Sequence, residues 1–502
     1  MLRDGSLALS CLVVLLAGCT GEEPTPPGQP GLGPPARLEV FATDSALLAG
    51  HGLQLQVAAW DSMGRRLAHV EVIWHSLYPD WVTVDSLRGM LQAAPDAPSS
   101  QFPVWAVARA TSVADTLDVK VARPGEVKWR LPIGTAALVG GPAEGPDGTI
   151  YVLGDGHIIE ATLYAVSPRG TIRWTRHLDQ VGKWNYPIVG PDGSIYVVGQ
   201  YVWAFDPDGT LRWSMQTRPT VFPPNLPDNH AAALGADGTL YAAMGYDLFA
   251  LRASDGDTLW VGPRAPDAGW LVPPTVSVDG RTVYVKNTGT ATFAFDGRAE
   301  VLRWSVPDPW PGSLAVGVGP TLAGSRLLVP AGGAIQEMDT SGQAVGVAPE
   351  YGGGHSEPVV GPDGTFYVVH PQNIGIDAFQ SISAPIWRQP GFRSWKPYYG
   401  GPALASGGVL YVAALDGFHA LQLGSTGVTI RWRFPRPPGN NIAFAGAPLI
   451  GQDGTVYSFT ACDAPGPCNG ELFAFWEDKP VEPNSPWPMW RHDARRSGQA
   501  HR

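Results

Sequence analysis

Two cysteines near the C-terminus are the residues of this chain best placed for covalent chemistry. Cys462 and Cys468 are separated by five residues in the run Ala-Cys-Asp-Ala-Pro-Gly-Pro-Cys-Asn. Its proline and glycine residues indicate a turn-rich loop, and in an exported protein a thiol pair so close together predicts a disulfide that closes the loop. A metal site with two thiolate ligands is the alternative. No cluster of His, Cys or Asp residues with ligand spacing lies nearby, so we expect no metal there.

Recurring Asp-Gly pairs are the other feature that suggests chemistry, because carboxylates bind calcium. They begin at Asp147, Asp192, Asp237, Asp279, Asp363 and Asp453. Each pair lies between apolar runs, where hairpin geometry already favours it, and the flanking ligands of a calcium loop are lacking. The chain also has no phosphate-binding loop, nucleophile elbow or zinc-binding helix motif. We therefore predict no catalytic residues and no metal ligands.

These Asp-Gly pairs belong to a segment that recurs eight times between residues 141 and 456. The clearest copies are residues 142–151, 187–196 and 358–367, and successive copies end 39 to 46 residues apart. A period in the forties, built from short strands, is typical of one four-stranded propeller blade per repeat. A tryptophan recurs in the fourth strand and is expected to lie in the core between blades: Trp174, Trp213, Trp260, Trp304, Trp387 and Trp432.

The eighth copy has a third strand at residues 472–475 but no fourth strand. Residues 126–130, which include Trp129, offer the missing strand from the other end of the repeats. A blade shared between both ends closes a ring and removes exposed sheet edges. We therefore predict an all-β chain with an eight-bladed β-propeller at residues 123–478, in which Trp129 lies near Phe473.

The N-terminus has the pattern of an export signal. In residues 1–18, Arg3 precedes an apolar run that is shorter than the roughly 20 residues of a membrane span. The run ends in Leu-Ala-Gly-Cys19, which resembles a bacterial lipobox and implies that Cys19 is the lipidated first residue of the mature protein. A plain secretory signal or an uncleaved anchor is the alternative. Thr20 in place of Asp implies the outer membrane or cell surface rather than the inner membrane.

Residues 19–35 and 36–122 form two further predicted segments. The first is rich in proline and glycine, which predicts an extended tether. The second alternates apolar and polar residues in short runs separated by turns, which favours a small β-sandwich of immunoglobulin type. Runs such as Val72-Ile-Trp74 and Val82-Thr-Val-Asp85 resemble bacterial Ig-like modules of the BIG2 kind. We expect Trp74 in the core and a spacer or adhesive role.

The repeats themselves resemble a known family. Residues 163–174 and their copies resemble the PQQ-like repeat of quinoprotein dehydrogenases and of non-enzymatic outer-membrane assembly lipoproteins related to BamB. The dehydrogenases typically carry adjacent cysteines, calcium ligands and long insertions, and this chain has no adjacent cysteines and compact repeats. The resemblance therefore implies the fold more than an activity, and we expect neither PQQ nor calcium as a cofactor.

Aromatic and polar residues cluster in the predicted loops that join one blade to the next. On one rim they would suit a protein partner or a glycan. The alternative is that the rings cap the blade cores or fill the channel mouth. The candidate binding rim comprises Trp184, Tyr186, His230, Trp270, Trp310, His355, Glu357, Trp395, Tyr398 and Tyr399.

The last predicted segment is the tail at residues 479–502. Its run from Pro486 to Asp493 resembles a Trp-Pro-Met-aromatic-x-His-Asp segment seen beside such propellers. We expect it to dock on the propeller, across the rim or in the channel, with Trp487 and Trp490 buried and Arg491 stacked. A mobile tail is the alternative.

Charge narrows the class of partner. The formal net charge is -11, and the chain has no run of Lys or Arg residues, which disfavours nucleic acid and anionic lipid headgroups. The sequence therefore predicts a lipid-anchored envelope protein whose propeller is a non-catalytic scaffold that binds envelope proteins or glycans. A PQQ-dependent dehydrogenase and a BamB-like outer-membrane assembly factor are the alternatives.

Overall fold

A computed structural model describes most of the chain after residue 31, in two compact units. One unit comprises residues 1–45, 52–92 and 101–119, and the other comprises residues 46–51, 93–100 and 120–502. The described residues are 32–44, 46–134, 140–157, 160–179, 181, 185–216, 230–262, 270–288, 291–308, 318–331, 334–348, 356–370, 375–391, 401–438, 442–462 and 469–500. They contain strands and turns but no helix, so the prediction of an all-β chain is confirmed. Within them, nothing has the helical length and apolarity needed to cross a bilayer.

The first eight strands form two four-stranded sheets. They are β1 (Arg37–Ala42), β2 (Ala46–Leu48), β3 (Gly52–Trp60), β4 (Val72–Ser76), β5 (Val82–Val84), β6 (Met90–Ala93), β7 (Ser100–Ala108) and β8 (Ala114–Ala122). One sheet has the order β1-β3-β6-β5 and the other β2-β8-β7-β4, with β2 parallel to β8. Burial alternates along β1 and β7, as a sheet with one covered face requires. Trp74 is buried, as expected.

The remaining strands form eight antiparallel four-stranded sheets. After β9 (Val127–Gly134), sheet 1 contains β10 (Ala143–Glu144), β11 (Ile150–His157), β12 (Glu160–Val166) and β13 (Ile172–Asp179). Sheet 2 contains β14 (Ile188–Val189), β15 (Ile195–Val198), β16 (Tyr201–Phe205) and β17 (Leu211–Gln216). Sheet 3 contains β18 (His230–Leu234), β19 (Thr239–Met244), β20 (Asp247–Arg252) and β21 (Thr258–Val261). Sheet 4 contains β22 (Thr275–Val276), β23 (Thr282–Lys286), β24 (Ala291–Asp296) and β25 (Leu302–Pro307).

The second half of the unit repeats this arrangement. Sheet 5 contains β26 (Thr321–Ala323), β27 (Arg326–Ala331), β28 (Ala334–Asp339) and β29 (Ala344–Val347). Sheet 6 contains β30 (Val359–Val360), β31 (Phe366–Val369), β32 (Ile376–Phe379) and β33 (Trp387–Gln389). Sheet 7 contains β34 (Ala403–Ala405), β35 (Val409–Ala414), β36 (Gly417–Gly424) and β37 (Gly427–Pro435). Sheet 8 contains β38 (Ile442–Ile450), β39 (Val456–Cys462), β40 (Gly470–Phe475) and the early strand β9.

Sheet 8 joins the two ends of the repeated segment. Strand β40 pairs antiparallel with β9, with Ala474 opposite Trp129 and Phe473 opposite Arg130. This is the pairing that the missing fourth strand predicted. Strand β9 is thus the fourth strand of sheet 8, and it covers the edge of β40 that would otherwise have no partner.

Tryptophans of the fourth strands lie between neighbouring sheets, as predicted. Trp174 of sheet 1 donates its indole N–H to the carbonyl of Pro207 in sheet 2 (2.9 Å), and its ring lies against Gly209. Equivalent hydrogen bonds to a carbonyl group of the next sheet are made by Trp129, Trp213, Trp260 and Trp304. Trp432 instead donates to the carboxylate of Glu477, just after β40 (2.9 Å), and Trp387 is buried. Gly209 has a φ of +81°, a backbone conformation that glycine adopts without strain.

The eight sheets contact one another in sequence. The first strand of each sheet is called here its inner strand. Inner strands of neighbouring sheets contact each other, as β10 contacts β14 and β34 contacts β38. Sheet 8 also contacts sheet 1. The backbone N–H of Gln452, in the turn after β38, donates a hydrogen bond to the carboxylate of Glu144 in β10 (2.9 Å).

Candidate functional site

The C-terminal segment, residues 480–500, runs along the inner strands. Backbone N–H groups of six of them donate to its carbonyl oxygens: Leu404 to Pro488, Val360 to Trp487, Glu144 to Ala494, Val189 to Arg495, Leu234 to Ser497 and Val276 to Gly498. An inner strand has one edge without a partner in its own sheet, and these bonds satisfy that edge. The segment thus occupies the surface on which an extended ligand would pair.

The segment changes direction through residues with left-handed backbone. Arg491, His492 and Arg496 have φ angles of 57°, 77° and 58°. This conformation costs a residue other than glycine roughly 1–2 kcal/mol, and it persists only where the surroundings impose it. At the turn, the N–H of His492 donates to the carbonyl of Met489 (2.8 Å). The tail is therefore held in a specific conformation.

Glu357 is the centre of the buried contacts of this segment. Its side chain is fully buried and accepts hydrogen bonds from the indole N–H of Trp487 (3.0 Å) and from the backbone N–H of Arg491 (2.9 Å). The backbone N–H of Gly319 donates to the second carboxylate oxygen (3.2 Å), and the Arg491 guanidinium lies 3.6 Å from it. Burial raises the pKa of Glu357, and the Arg491 charge and these donors oppose the shift.

Two arginines of the segment donate to carbonyl groups of prolines in or next to the inner strands. Arg496 donates to Pro142 (2.9 Å), Pro448 (2.9 Å) and Trp490 (2.7 Å), and Arg491 donates to Pro274. Burial lowers the pKa of Arg496 to about 10, so the guanidinium remains charged at neutral pH. Carbonyl dipoles thus stabilise two buried cations, one of which also has Glu357 as counter-ion.

Aromatic contacts complete this buried cluster. The Trp490 ring packs edge-on against Tyr186, with ring centroids 4.5 Å apart. Arg496 lies over the Trp490 ring, 5.4 Å from its centroid. Trp487 and Trp490 are buried, as expected. Among the described residues, the arginine that lies over a ring of this cluster is Arg496, whereas Arg491 faces Glu357. Stacking of Arg491 stays a prediction.

Two predicted rim residues belong to this cluster instead of a rim. Tyr186 is buried beneath Trp490 and donates its hydroxyl to Ala232 (3.2 Å), and Glu357 is enclosed by the contacts above. The prediction that they face an external partner is wrong, because the tail covers them. Trp270 is half-buried beside Tyr246 (6.5 Å between ring centroids), and His230 is described only as backbone of β18. The other six lie outside the described residues: Trp184, Trp310, His355, Trp395, Tyr398 and Tyr399.

The predicted cysteine chemistry also falls outside the described residues. Cys19 and Cys468 are not described, and Cys462 is described only as the last backbone position of β39. Lipidation of Cys19 and the Cys462–Cys468 disulfide therefore stay predictions.

The Asp-Gly turns have a structural role that matches the hairpin interpretation. Asp192 accepts hydrogen bonds from the backbone N–H and the hydroxyl of Ser194 (3.1 and 2.6 Å) and faces Arg212 at 3.4 Å. Burial opposes ionisation of Asp192, but these donors outweigh it and hold its pKa below the ordinary range. Asp147, Asp237, Asp279, Asp363 and Asp453 accept the same backbone hydrogen bond from two residues ahead.

A group of possible metal ligands lies elsewhere in the described part of the chain. Side-chain ligand atoms of Glu160, His177 and Asp179 come within 4.8 Å of one another on sheet 1. All three are exposed, and His177 already faces Asp179 at 3.3 Å. This cluster is an ordinary cross-strand arrangement of polar side chains and supplies no enclosed site.

Sequence reasoning missed Arg496 and the proline carbonyls that bind it. The two tryptophans of the tail indicated burial, because large apolar rings are costly to leave in water, but nothing singled out Arg496 among the tail's four arginines. Proline has no backbone N–H to donate, but its carbonyl group still accepts hydrogen bonds, and Pro142 and Pro448 bind Arg496 in this way.

Part of the chain matches the sequence model of one protein family. Residues 115–304, less than half of the chain, match a family model described as outer membrane protein assembly factor BamB. This match supports the predicted PQQ-like repeat of BamB type in that segment. No curated protein is significantly similar in sequence.

Two solved structures are distantly similar. BamB from Moraxella catarrhalis is 16% identical, with a TM-score of 0.45 over 70% of this chain and 97% of that chain. The computationally designed Ika8 protein is 9% identical, with a TM-score of 0.48 over 68% of this chain and 100% of that chain.

Proposed function

We propose that this protein is a non-catalytic interaction scaffold of the bacterial cell envelope. In this proposal it is exported, anchored through lipid on Cys19, and carries a tether, an Ig-like sandwich and a closed eight-bladed propeller. The outer membrane or cell surface is the proposed location. Envelope proteins or glycans are the proposed partners.

One observation carries the non-catalytic role. The inner strands, where an axial ligand of a propeller would bind, already pair with the protein's own C-terminal segment. Arg491 and Arg496 are fully buried there and are engaged by Glu357 and by backbone carbonyls. The edges of six inner strands are therefore not available to a ligand, which favours a scaffold over an enzyme with an axial cofactor.

The propeller itself is supported by the arrangement of the sheets. Eight four-stranded sheets follow one another, sheet 8 contacts sheet 1, and β9 supplies the last strand. Such sharing of a blade between both chain ends is a common way to close a ring of sheets.

An envelope-assembly factor of BamB type is the second candidate. It is favoured by the family match over residues 115–304. Its partners would be proteins that assemble the outer membrane, whereas a general scaffold would bind other envelope proteins or glycans. The additional Ig-like segment counts somewhat against it.

Cross-linking in the native cell tests the scaffold role. The tagged full-length protein and a variant with Trp184, Trp395 and Tyr399 changed to Ala are compared by mass spectrometry of cross-linked partners. We expect envelope proteins to be cross-linked to the full-length protein and to be lost from the triple alanine variant. Recovery of outer-membrane assembly proteins, with reduced outer-membrane protein levels on gene deletion, would select the BamB-type role. No partner above the level of an unrelated tagged lipoprotein would refute both.

A spectroscopic experiment tests the alternative of a quinone enzyme. PQQ and calcium are added to the purified protein, and the absorbance of the protein fraction is measured after desalting. We expect no retained quinone absorbance. A stoichiometric quinone spectrum would overturn the non-catalytic proposal.

A further inference from the structure

A cavity of about 280 Å³ lies between the C-terminal segment and sheet 8. Its walls come from residues 450–452, which form the start of the turn between β38 and β39, and from residues 480–494 of the segment. It opens at the ends of the inner strands that lead into their hairpin turns. None of the residues of the predicted rim lines this cavity.

Much of the cavity wall is apolar. Val481, Pro488 and Met489 of the C-terminal segment line it, together with Ile450 of β38. Backbone hydrogen bonds from Leu404 to Pro488 and from Ser406 to Pro480 hold this wall in place. The volume lies at the lower limit for ligand pockets in proteins, which run from roughly 300 to 1,000 Å³. It therefore suits one long side chain rather than a larger molecule.

One carboxylate in the wall has no assigned role. Glu482 is half-buried, and among the described residues its side chain makes no hydrogen bond and no ion pair. Its position is nevertheless fixed, since its backbone N–H donates to Leu404 (3.1 Å) and its carbonyl accepts from Ser485 (3.2 Å). Asp493 also lines the cavity, but its carboxylate accepts from the backbone N–H and hydroxyl of Ser497 (2.9 and 2.7 Å). Glu482 is thus the acceptor that remains for a ligand.

The charged groups around the cavity are mostly compensated. Asp453, next to the wall residue Gln452, faces Lys128 at 3.2 Å, and Asp493 of the wall lies 3.7 Å from Arg495 and 3.9 Å from His492, which also lines the cavity. Burial raises the pKa of Glu144, which accepts a hydrogen bond from the backbone N–H of Gln452 (2.9 Å), to about 7, so this carboxyl group is only partly charged at neutral pH. The Glu482 carboxylate is therefore the feature of the wall that favours a cationic ligand over a neutral or anionic one.

We propose that this cavity binds an arginine side chain presented by a partner polypeptide. Its methylene groups would lie against Val481, Pro488 and Met489, and its guanidinium would pair with Glu482. Arginine is favoured over lysine because its guanidinium is weakly hydrated and pairs with a carboxylate through two hydrogen bonds. The biological meaning rests on the proposed scaffold role, whereas the binding itself is a property of the cavity.

Methyl NMR of the full-length protein tests the proposal. The seven methionines are labelled at their methyl carbons, and the Met489 signal is assigned from Met489→Leu. The probe is the peptide acetyl-Ala-Arg-Ala-amide, and its counterpart with citrulline is the neutral isostere. We expect a saturable shift of the Met489 signal with the arginine peptide only. Glu482→Gln should weaken this binding about tenfold, because a charged hydrogen-bonding partner is lost.

A matched variant and the ionic strength serve as controls. Glu300→Gln removes an exposed carboxylate of sheet 4 and should leave binding unchanged. A rise in salt concentration should weaken the binding of the arginine peptide, because screening reduces the attraction between exposed charges. Equal binding of the citrulline peptide, or no effect of Glu482→Gln in a protein that melts normally, would overturn the proposal. Partners that cross-link equally to wild type and Glu482→Gln would leave the scaffold role intact while refuting the arginine site.

Discussion

The indole N–H of Trp487 lies 3.0 Å from the carboxylate of Glu357, a residue 130 positions earlier in the chain. This hydrogen bond attaches the C-terminal segment to the residue that precedes β30. The same carboxylate faces Arg491, so an acid and a base that are both fully buried compensate each other. The position of the tail therefore depends on a residue of the repeated segment.

Removal of the Glu357 charge should destabilise the protein strongly. Glu357→Gln leaves the buried Arg491 guanidinium without its counter-ion, and loss of one partner of a buried pair costs roughly 3–5 kcal/mol. Denaturant unfolding with Glu300→Gln as the control measures this difference. A loss no larger than that of the control would show that the carbonyl of Pro274 alone suffices to hold Arg491.

Stability should fall with rising pH because of Glu144. Its pKa is raised from an ordinary value near 4.5 to about 7 in the folded protein. The folded state therefore holds a proton that the unfolded state releases, so this contribution is complete below about pH 4.5 and is lost as the pH rises through 7. The loss is of the order of a few kcal/mol. The free energy of unfolding, measured from pH 4.5 to above pH 7, should fall in the wild type but not in Glu144→Gln. The same pH dependence in both proteins would contradict this prediction.

Two glycines with nearly the same backbone provide a test of the inter-sheet tryptophans. Gly209 and Gly238 have φ angles of +81° and +80°. A Cβ at Gly209 would lie 2.7 Å from the Trp174 ring, whereas one at Gly238 would meet nothing within 4 Å. Gly238→Ala should cost about 1–2 kcal/mol for the left-handed backbone alone. Gly209→Ala should cost about 1–3 kcal/mol more because it overpacks the contact, and equal losses of unfolding free energy would argue against a tight interface.

Deletion of residues 480–502 should expose the edges of the inner strands. The amides of Glu144, Val189, Leu234, Val276, Val360 and Leu404 donate to the segment and would lose their acceptors. Hydrogen exchange of these amides should accelerate by several orders of magnitude relative to amides of the first two sheets, such as those of β7. Unchanged exchange would mean that the inner strands are protected without the tail. Because unpaired edges promote association, we also expect the truncated protein to aggregate.

The repeated four-stranded unit and the strand that completes the last sheet could both be predicted from the sequence. Hairpin turns, apolar strands and fourth-strand tryptophans are local features, and they recur with a period that specifies one four-stranded sheet per copy. The role of β9 also followed, because a copy without its fourth strand requires a strand from elsewhere, and residues 126–130 offer one that carries a tryptophan, Trp129.

Which residues are accessible depends on contacts that form only in the folded chain. Tyr186 and Glu357 lie in positions that sequence reasoning assigned to a rim, but the tail covers both. Burial of a side chain depends on what lies above it, and here the covering residues come from more than a hundred positions away. The pairing of Arg496 with the Pro142 and Pro448 carbonyls is equally nonlocal, because these acceptors are brought together only when the eight sheets assemble.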